Sequence, residues 1–535
     1  MLLISVDGLH AADLDWYVGS HPGSTLARLA RQGRSYASAR TPYPSDSVPG
    51  LLAQLTGGLP AQTGVYYDDS YSRALLPAGT TRCDGVSGGA EVALVGSLDR
   101  DPKRLDAGQG IAGLYEDLAR IGALTGRPAE LLDPQRLPVD RETCTPLLPH
   151  RYLRVNTVFD VAHQHGLRTA WADKHPAYEI LEGPGGDGVD DLFAPEIDAS
   201  RRDPAGPEGA GPGFPDDNTA TQFYDALKVQ AVLNWIAGKD HGGVHGFAVP
   251  AILGMNFQAV STAQKLNHSD YYDDPGDPST LLHGGLGGYT GGGTQPGPVL
   301  QGALRFVDQQ LSRLVAAIDP GHTVLILSAK HGQSPRDRRR LLLIDDRAML
   351  EALDGAWAAR TGAPGKPLVA HAVDDDGVLL WLNDRSSTAC RFAAQFLAHY
   401  SGFGIASGEQ GEAVQRPFRS GGLQRVYAGA AAARFLGAYP DDERVPDVVG
   451  IAAPGSVWAG RKFSKIAEHG GAAADDRHVP ILVWGAGIAP GRLTQAVQTT
   501  QIAPSILALL GLPIDELQAT RFGLVRSLPG LPVRH

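Results

Sequence analysis

Cysteine is scarce in this chain: Cys83, Cys144 and Cys390 are the only three among 535 residues. No CxxC pair exists, which excludes a cysteine-built metal knuckle. A Cys83–Cys144 disulfide is open, but three cysteines do not fix a compartment. No apolar run is long enough to cross a membrane. There is no long basic block, and the formal net charge is -11. Nucleic acid gripped through its phosphate backbone is therefore not an expected partner. A small phosphorylated ester, which needs only a local positive site, remains open. The opening MLLISVDGLH has no basic n-region and no cleavage site, so no export signal is expected within it. Secretion or periplasmic placement would need an upstream signal already removed. There is also no short-period repeat, although Gly 67 and Pro 38 make up about a fifth of the chain. That composition reads as many long loops rather than as collagen.

Against these absences stands an apolar content of 43%, enough for a large core. LLISVD, residues 2–7, is a short apolar run ending in an acid and a glycine, as a buried parallel strand does. Further strands are expected to end at Asp173, near Asn256 and at Lys330–His331, with another near residues 479–487. Helices are expected over residues 22–33, 302–318 and 501–512. Alternating strands and helices predict an α/β fold, a mostly parallel central sheet flanked by helices. The segments 197–220 and 266–298, rich in Gly, Pro and Asp, read as surface loops. The expected division is a main core over 1–340, an inserted α+β subdomain over 341–460, and a return to the core over 461–535.

The carboxyl edge of such a sheet is where ligands bind. Asp7 ends one strand there, and His331 ends another beside Lys330. His469 lies in KIAEHGG, where small neighbours allow an ion or a phosphate close approach. Carboxylate and imidazole are ligands expected of zinc and similar divalent metals. In PSDSVPG, residues 44–50, Ser47 precedes an apolar run that reads as a helix, whose N–H groups suit an incoming phosphate. A serine hydroxyl needs activation to act as a nucleophile, and a metal can supply it. The plain alternative for Ser47 is a helix N-cap.

These motifs, in this order, resemble the alkaline phosphatase superfamily, most closely its type I phosphodiesterase/nucleotide pyrophosphatase branch. SVDG carries that branch's early metal-binding Asp at Asp7. PSDSVPG followed by QLTGGLPAQTGV resembles its nucleophile loop, with the second hydroxyl on Ser47. SAKHG stands for a late S-D-H-G, AEHGG for G-x-H-G, and TTQIAPS for a closing T-x-D-I-A-P-T. The resemblance implies a metal-dependent hydrolase of phosphomonoesters or phosphodiesters. Ser47 would attack phosphorus and form a covalent phosphoryl intermediate. Asp7, Ser47, His331 and His469 would be metal ligands for one or two divalent ions, zinc foremost.

Departures from the family pattern are equally specific. Lys330 replaces the Asp of S-D-H-G and could act as a fixed positive charge in an ion's place. The family's E-P-D-x-x-G-H element corresponds to GMNFQAVSTAQK, with Asn256, Gln258 and Lys265 but neither Asp nor His. Asp173 and His175, in WADKHPAYEI, could replace lost ligands or contact substrate, as could Asn256, Lys265 and Tyr67. The sulfatase pattern C-x-P-x-R, or its serine variant, is broken because Leu51 stands where its Arg should be. Sulfatase-like, lyase, isomerase or transferase chemistry on the same scaffold remains an alternative, because scaffold does not dictate reaction. So does a non-catalytic binding protein with a degenerate metal site.

Overall fold

The run LLISV forms the strand β1 (Leu2–Val6), and all five of its residues are buried. Alternate side chains serve two cores. Leu2, Ile4 and Val6 pack into one apolar cluster, and Leu3 into another. A strand covered on both faces has no polar side to show, which is why the sequence runs apolar without alternation. The computed structural model describes residues 1–407, 412–460, 465–522 and 525–532.

Seven more strands complete the main sheet: β2 (Arg34–Arg40), β3 (Thr169–Ala172), β4 (Asp191–Phe193), β5 (Ile252–Phe257), β6 (Val324–Ser328), β7 (Leu482–Gly485) and β8 (Gly491–Gln498). Their order is β8-β2-β7-β6-β1-β5-β3-β4. β1 pairs in parallel with β5 and β6, and β3 pairs in parallel with β5 and β4. β7 runs antiparallel to both of its neighbours. The sheet is therefore mostly parallel, as expected, with one reversed strand. The parallel strands β1, β3, β5 and β6 bring their carboxyl ends to one edge.

Helices cover both faces. On the face reached by Leu2 and Ile4 lie α2 (Asn218–Ile236) and α3 (Pro298–Ala317). On the face reached by Leu3 lie α1 (Ser47–Thr56) and α4 (Ile502–Leu510). α1 crosses the end of β6 so closely that a Cβ on Gly50 would lie 2.2 Å from the Lys330 carbonyl oxygen. Only glycine fits there.

Residues 342–458 hold two further four-stranded sheets, separate from the main one, around an apolar cluster that includes Met349, Leu353, Trp357 and Trp381's neighbour Leu382. The segment 266–298 differs from its loop reading. His268–Tyr272 pairs with Leu281–Leu286, and Tyr289–Thr290 with Gln295–Pro296, as two small hairpins. Their glycines, read as signs of a loop, include Gly284 and Gly288, whose positive φ angles allow the chain to turn sharply. Cys83 and Cys144 form a disulfide that closes a 61-residue separation. Among the described residues, no helix is long and apolar enough to cross a membrane.

Candidate active site

Ser47 is the first residue of α1. Asp46 is its N-cap and accepts a hydrogen bond from the Val48 amide at 3.0 Å. Pro49 has no N–H, and the Gly50 amide bonds to the Asp46 carbonyl. The Val48 and Gly50 amides are therefore already engaged. Ser45 is excluded as the working hydroxyl by its own partner, since it donates to the Gly471 carbonyl at 2.7 Å.

The Ser47 hydroxyl meets three groups. His331 Nε2 is 3.2 Å from Oγ, Lys174 Nζ is 3.0 Å away, and Asp7 Oδ2 is 3.5 Å away. His331 Nδ1 lies 2.9 Å from the Gly332 carbonyl, which can only accept. Nδ1 therefore carries the proton, and the Nε2 lone pair faces Ser47. Burial holds the His331 imidazole down to about 4, with Lys265 and Lys174 adding to the effect against the pull of Asp7. At neutral pH it is an uncharged base.

Asp7 follows β1, and its amide bonds to the Phe257 carbonyl at the end of β5. Gln258 Nε2 donates to Asp7 Oδ2 at 2.5 Å, and Asn256 Nδ2 does so at 3.3 Å. Burial opposes the Asp7 charge, but Lys330, His331 and Lys174 outweigh it and hold the carboxyl well below the usual range. Lys174 is half-buried, yet Asp7, Asp68, Asp46 and Asp173 raise its ammonium above the ordinary lysine value. It remains protonated.

The structure separates the two lysines in a way the sequence did not show. Lys330 turns to Asp173, with Nζ 3.0 and 3.2 Å from the two carboxylate oxygens, and lies over the Tyr178 ring. The ammonium at Ser47 belongs to Lys174. The signal that could have found it is its place directly after Asp173, at the end of a strand adjacent to β5.

The remaining candidates divide. Asn256 is in the centre, beside Asp7. His469 packs against His331, with ring centroids 4.3 Å apart. Its Nδ1 lies 3.4 Å from the Tyr67 hydroxyl, which donates to Asp375 at 2.6 Å. Burial, then Lys265 and His331, hold His469 well below its usual value. Lys265 pairs with Glu468 at 2.6 Å. His175 points away, with Nδ1 2.8 and 2.9 Å from the Glu196 oxygens. A cleft of about 600 Å³, lined in part by Asp375, Trp458 and Glu468, opens beside this group.

Does the nucleophile centre suit a divalent ion? One observation favours it: Asp7 Oδ1 is buried without a hydrogen-bond partner. Two weigh against it. Lys174 and Lys330 each place Nζ 3.8 Å from Asp7 Oδ2, the oxygen that faces Ser47. Unit charges 4 Å apart interact by about 4 kcal/mol at an effective dielectric of 20, and a dication doubles each repulsion. The donor set at Ser47 does not fit a metal ion. Among the described residues, Asp7, His331 and His469 do not form a metal-sized group; His469 instead groups with Asp375 and Glu468. In that second group Glu468 is paired with Lys265 and Lys465.

Comparison with known proteins supports the resemblance. Residues 1–82, which contain Asp7 and Ser47, match the family model for type I phosphodiesterase/nucleotide pyrophosphatase. No curated protein matches the chain at a significant level. Murine ectonucleotide pyrophosphatase/phosphodiesterase 5 aligns at 12% identity and a TM-score of 0.54, covering 96% of this chain and 95% of that one. The alkaline phosphatase PafA aligns at 12% identity and a TM-score of 0.58, covering 96% of each. The phosphonoacetate hydrolase of Sinorhizobium meliloti 1021 aligns at 14% identity and a TM-score of 0.50, covering 97% and 95%. At such identities the structural likeness is one of fold. The chain thus has the alkaline phosphatase-superfamily fold throughout, and its first 82 residues match the type I phosphodiesterase/nucleotide pyrophosphatase branch.

Proposed function

We propose that this protein hydrolyses phosphoesters, monoesters or diesters, with Ser47 as the nucleophile. The observation that carries the reading is the convergence of a neutral imidazole and an ammonium on one hydroxyl, Ser47 Oγ. The match of residues 1–82 supports it, because that segment supplies both Asp7 and Ser47. A murine relative of the same fold was solved with AMP bound to a threonine-to-alanine variant described as inactive. That pairing of a lost hydroxyl with lost activity is in keeping with a hydroxyl nucleophile here.

In the first step Ser47 Oγ forms a bond to phosphorus while the ester P–O bond breaks in line. His331 Nε2 takes the serine proton and releases it to solvent before the second step, and the departing alcohol oxygen takes its proton from solvent. Water then attacks the phosphoseryl phosphorus; His331 Nε2 takes its proton and returns it to Ser47 Oγ as the P–Oγ bond breaks, releasing the phosphate product. Lys174 faces the charge that develops on the phosphoryl oxygens. Asp7 keeps Lys174 charged and in place. Lys330, paired with Asp173, fixes the turn that presents Lys174. No step is assigned to a metal ion, because the donor set at Ser47 does not suit one.

Turnover of p-nitrophenyl phosphate and bis(p-nitrophenyl) phosphate by wild type and Ser47→Ala tests the reading. Hydrolysis of at least one ester by wild type, and loss of about a thousandfold or more in the variant, is expected. No turnover by wild type on a broad ester panel would instead favour a non-catalytic binding protein.

A further inference from the structure

Beside the active site, at the edge of the main sheet, three buried groups and one exposed carboxylate converge without serving the chemistry above. His175 follows β3. Glu196 and Asp198 follow β4, and Asp99 ends the short helix Gly96–Leu98. One ligand atom from each of His175, Glu196 and Asp198 lies within 4.8 Å of the others. Glu196 receives His175 Nδ1 at 2.8 and 2.9 Å on its two oxygens, and the Asp198 amide at 2.8 Å. Its carboxylate rests directly on Gly96, where a Cβ would lie 2.6 Å from it.

Asp99 supplies the independent observation. It is wholly buried, and neither of its carboxylate oxygens has a hydrogen-bond donor. Its carboxyl lies within hydrogen-bonding reach of the Glu196 carboxyl, so its side chain is aimed at the cluster. Two carboxylates facing each other inside a protein, with both oxygens of one unpartnered, are costly unless a cation or a shared proton lies between them. Asp198 is exposed, which leaves an entry path. Lys174 is the cation whose charge reaches Glu196, and its ammonium is committed to Ser47.

We propose that His175, Glu196 and Asp198 bind one divalent transition-metal ion, with Asp99 beside Glu196 adding negative charge, at a structural site distinct from the nucleophile centre. One imidazole nitrogen with several carboxylate oxygens suits manganese or zinc. Because His175 adjoins Lys174, the ion ties down the turn that carries the Ser47 ammonium. The site does not depend on the hydrolase reading: it stands if Ser47 proves inert.

The test uses the full chain, stripped with a chelator and reloaded with Mn²⁺, Zn²⁺ or Ca²⁺ separately. Metal content after gel filtration and the melting temperature are read together. One equivalent of Mn²⁺ or Zn²⁺ retained per chain, with a raised melting temperature, is expected of wild type. Asp99→Asn should lose both, and the exposed Asp198→Asn, which threatens folding least, should weaken binding at least about tenfold. His469→Ala should retain the ion. Failure of wild type to retain either ion, with Asp99→Asn equally or more stable, would overturn the site in favour of a shared Asp99–Glu196 proton. Loss of the ion in His469→Ala but not in Asp198→Asn would also overturn it, by placing the metal at the other cluster.

Discussion

Ser47 Oγ is in contact with a base, a fixed cation and a carboxylate, and each makes a separate demand on experiment. Lys174 carries charge that the Val48 and Gly50 amides do not replace, because both are bonded to Asp46. Lys174→Ala should lower kcat by about a hundredfold or more, the scale of losing one oxyanion donor. Lys174→Arg should recover part of it, and steady-state kinetics on p-nitrophenyl esters reads both. His331, held down to about 4, should leave kcat/KM flat from neutral pH until the acid limb falls near pH 4, rather than near 6.5. The same shift sets the stability profile. Between about 6.5 and 4 the unfolded imidazole takes up a proton that the folded one refuses, so unfolding free energy falls as pH drops through that range. Urea melts at pH 7, 5.5 and 4.5 should show the midpoint moving down.

At the scale of elements, the site depends on α1 lying tight over the end of β6. Gly50→Ala would push a methyl into the Lys330 carbonyl and should cost about 1–3 kcal/mol, as overpacking does, with kcat falling alongside stability. The Cys83–Cys144 bond closes a long loop. Cys83→Ser should cost about 4 kcal/mol on the chain-entropy estimate, measured by chemical denaturation. The buried strands β1 and β6 were legible because double coverage leaves uninterrupted apolar runs. The reversal of β7 was not, since its LVWG reads the same in either direction. Asp7, Ser47 and His331 could be found from strand ends and the PSDSVPG turn. The exchange of roles between Lys330 and Lys174 could not, because which ammonium reaches Ser47 depends on the register of β3 against β5 and on Asp173 capturing Lys330. His175 looked like a partner of Asp173 from its spacing of two. His175 lies beyond the end of β3, directly before the short helix Pro176–Glu182, where strand alternation no longer holds, and it turns to Glu196.

For the whole molecule, a net charge of -11 surrounds a centre where two ammonium groups, one buried and one half-buried, meet Asp7. An anionic ester is attracted by that local charge, not by the overall field. The fold is shared with the phosphodiesterase and phosphatase structures it aligns with, and with two ammonium groups beside Asp7, hydrolysis at Ser47 should proceed after chelation once the protein is folded. The most direct measurement is acid quench of the full chain during turnover of a p-nitrophenyl ester, in chelator, followed by peptide mass spectrometry. A phosphoryl group on Ser47, absent in Ser47→Ala, is the predicted result. Turnover without any adduct on Ser47, and undiminished in Ser47→Ala, would contradict it.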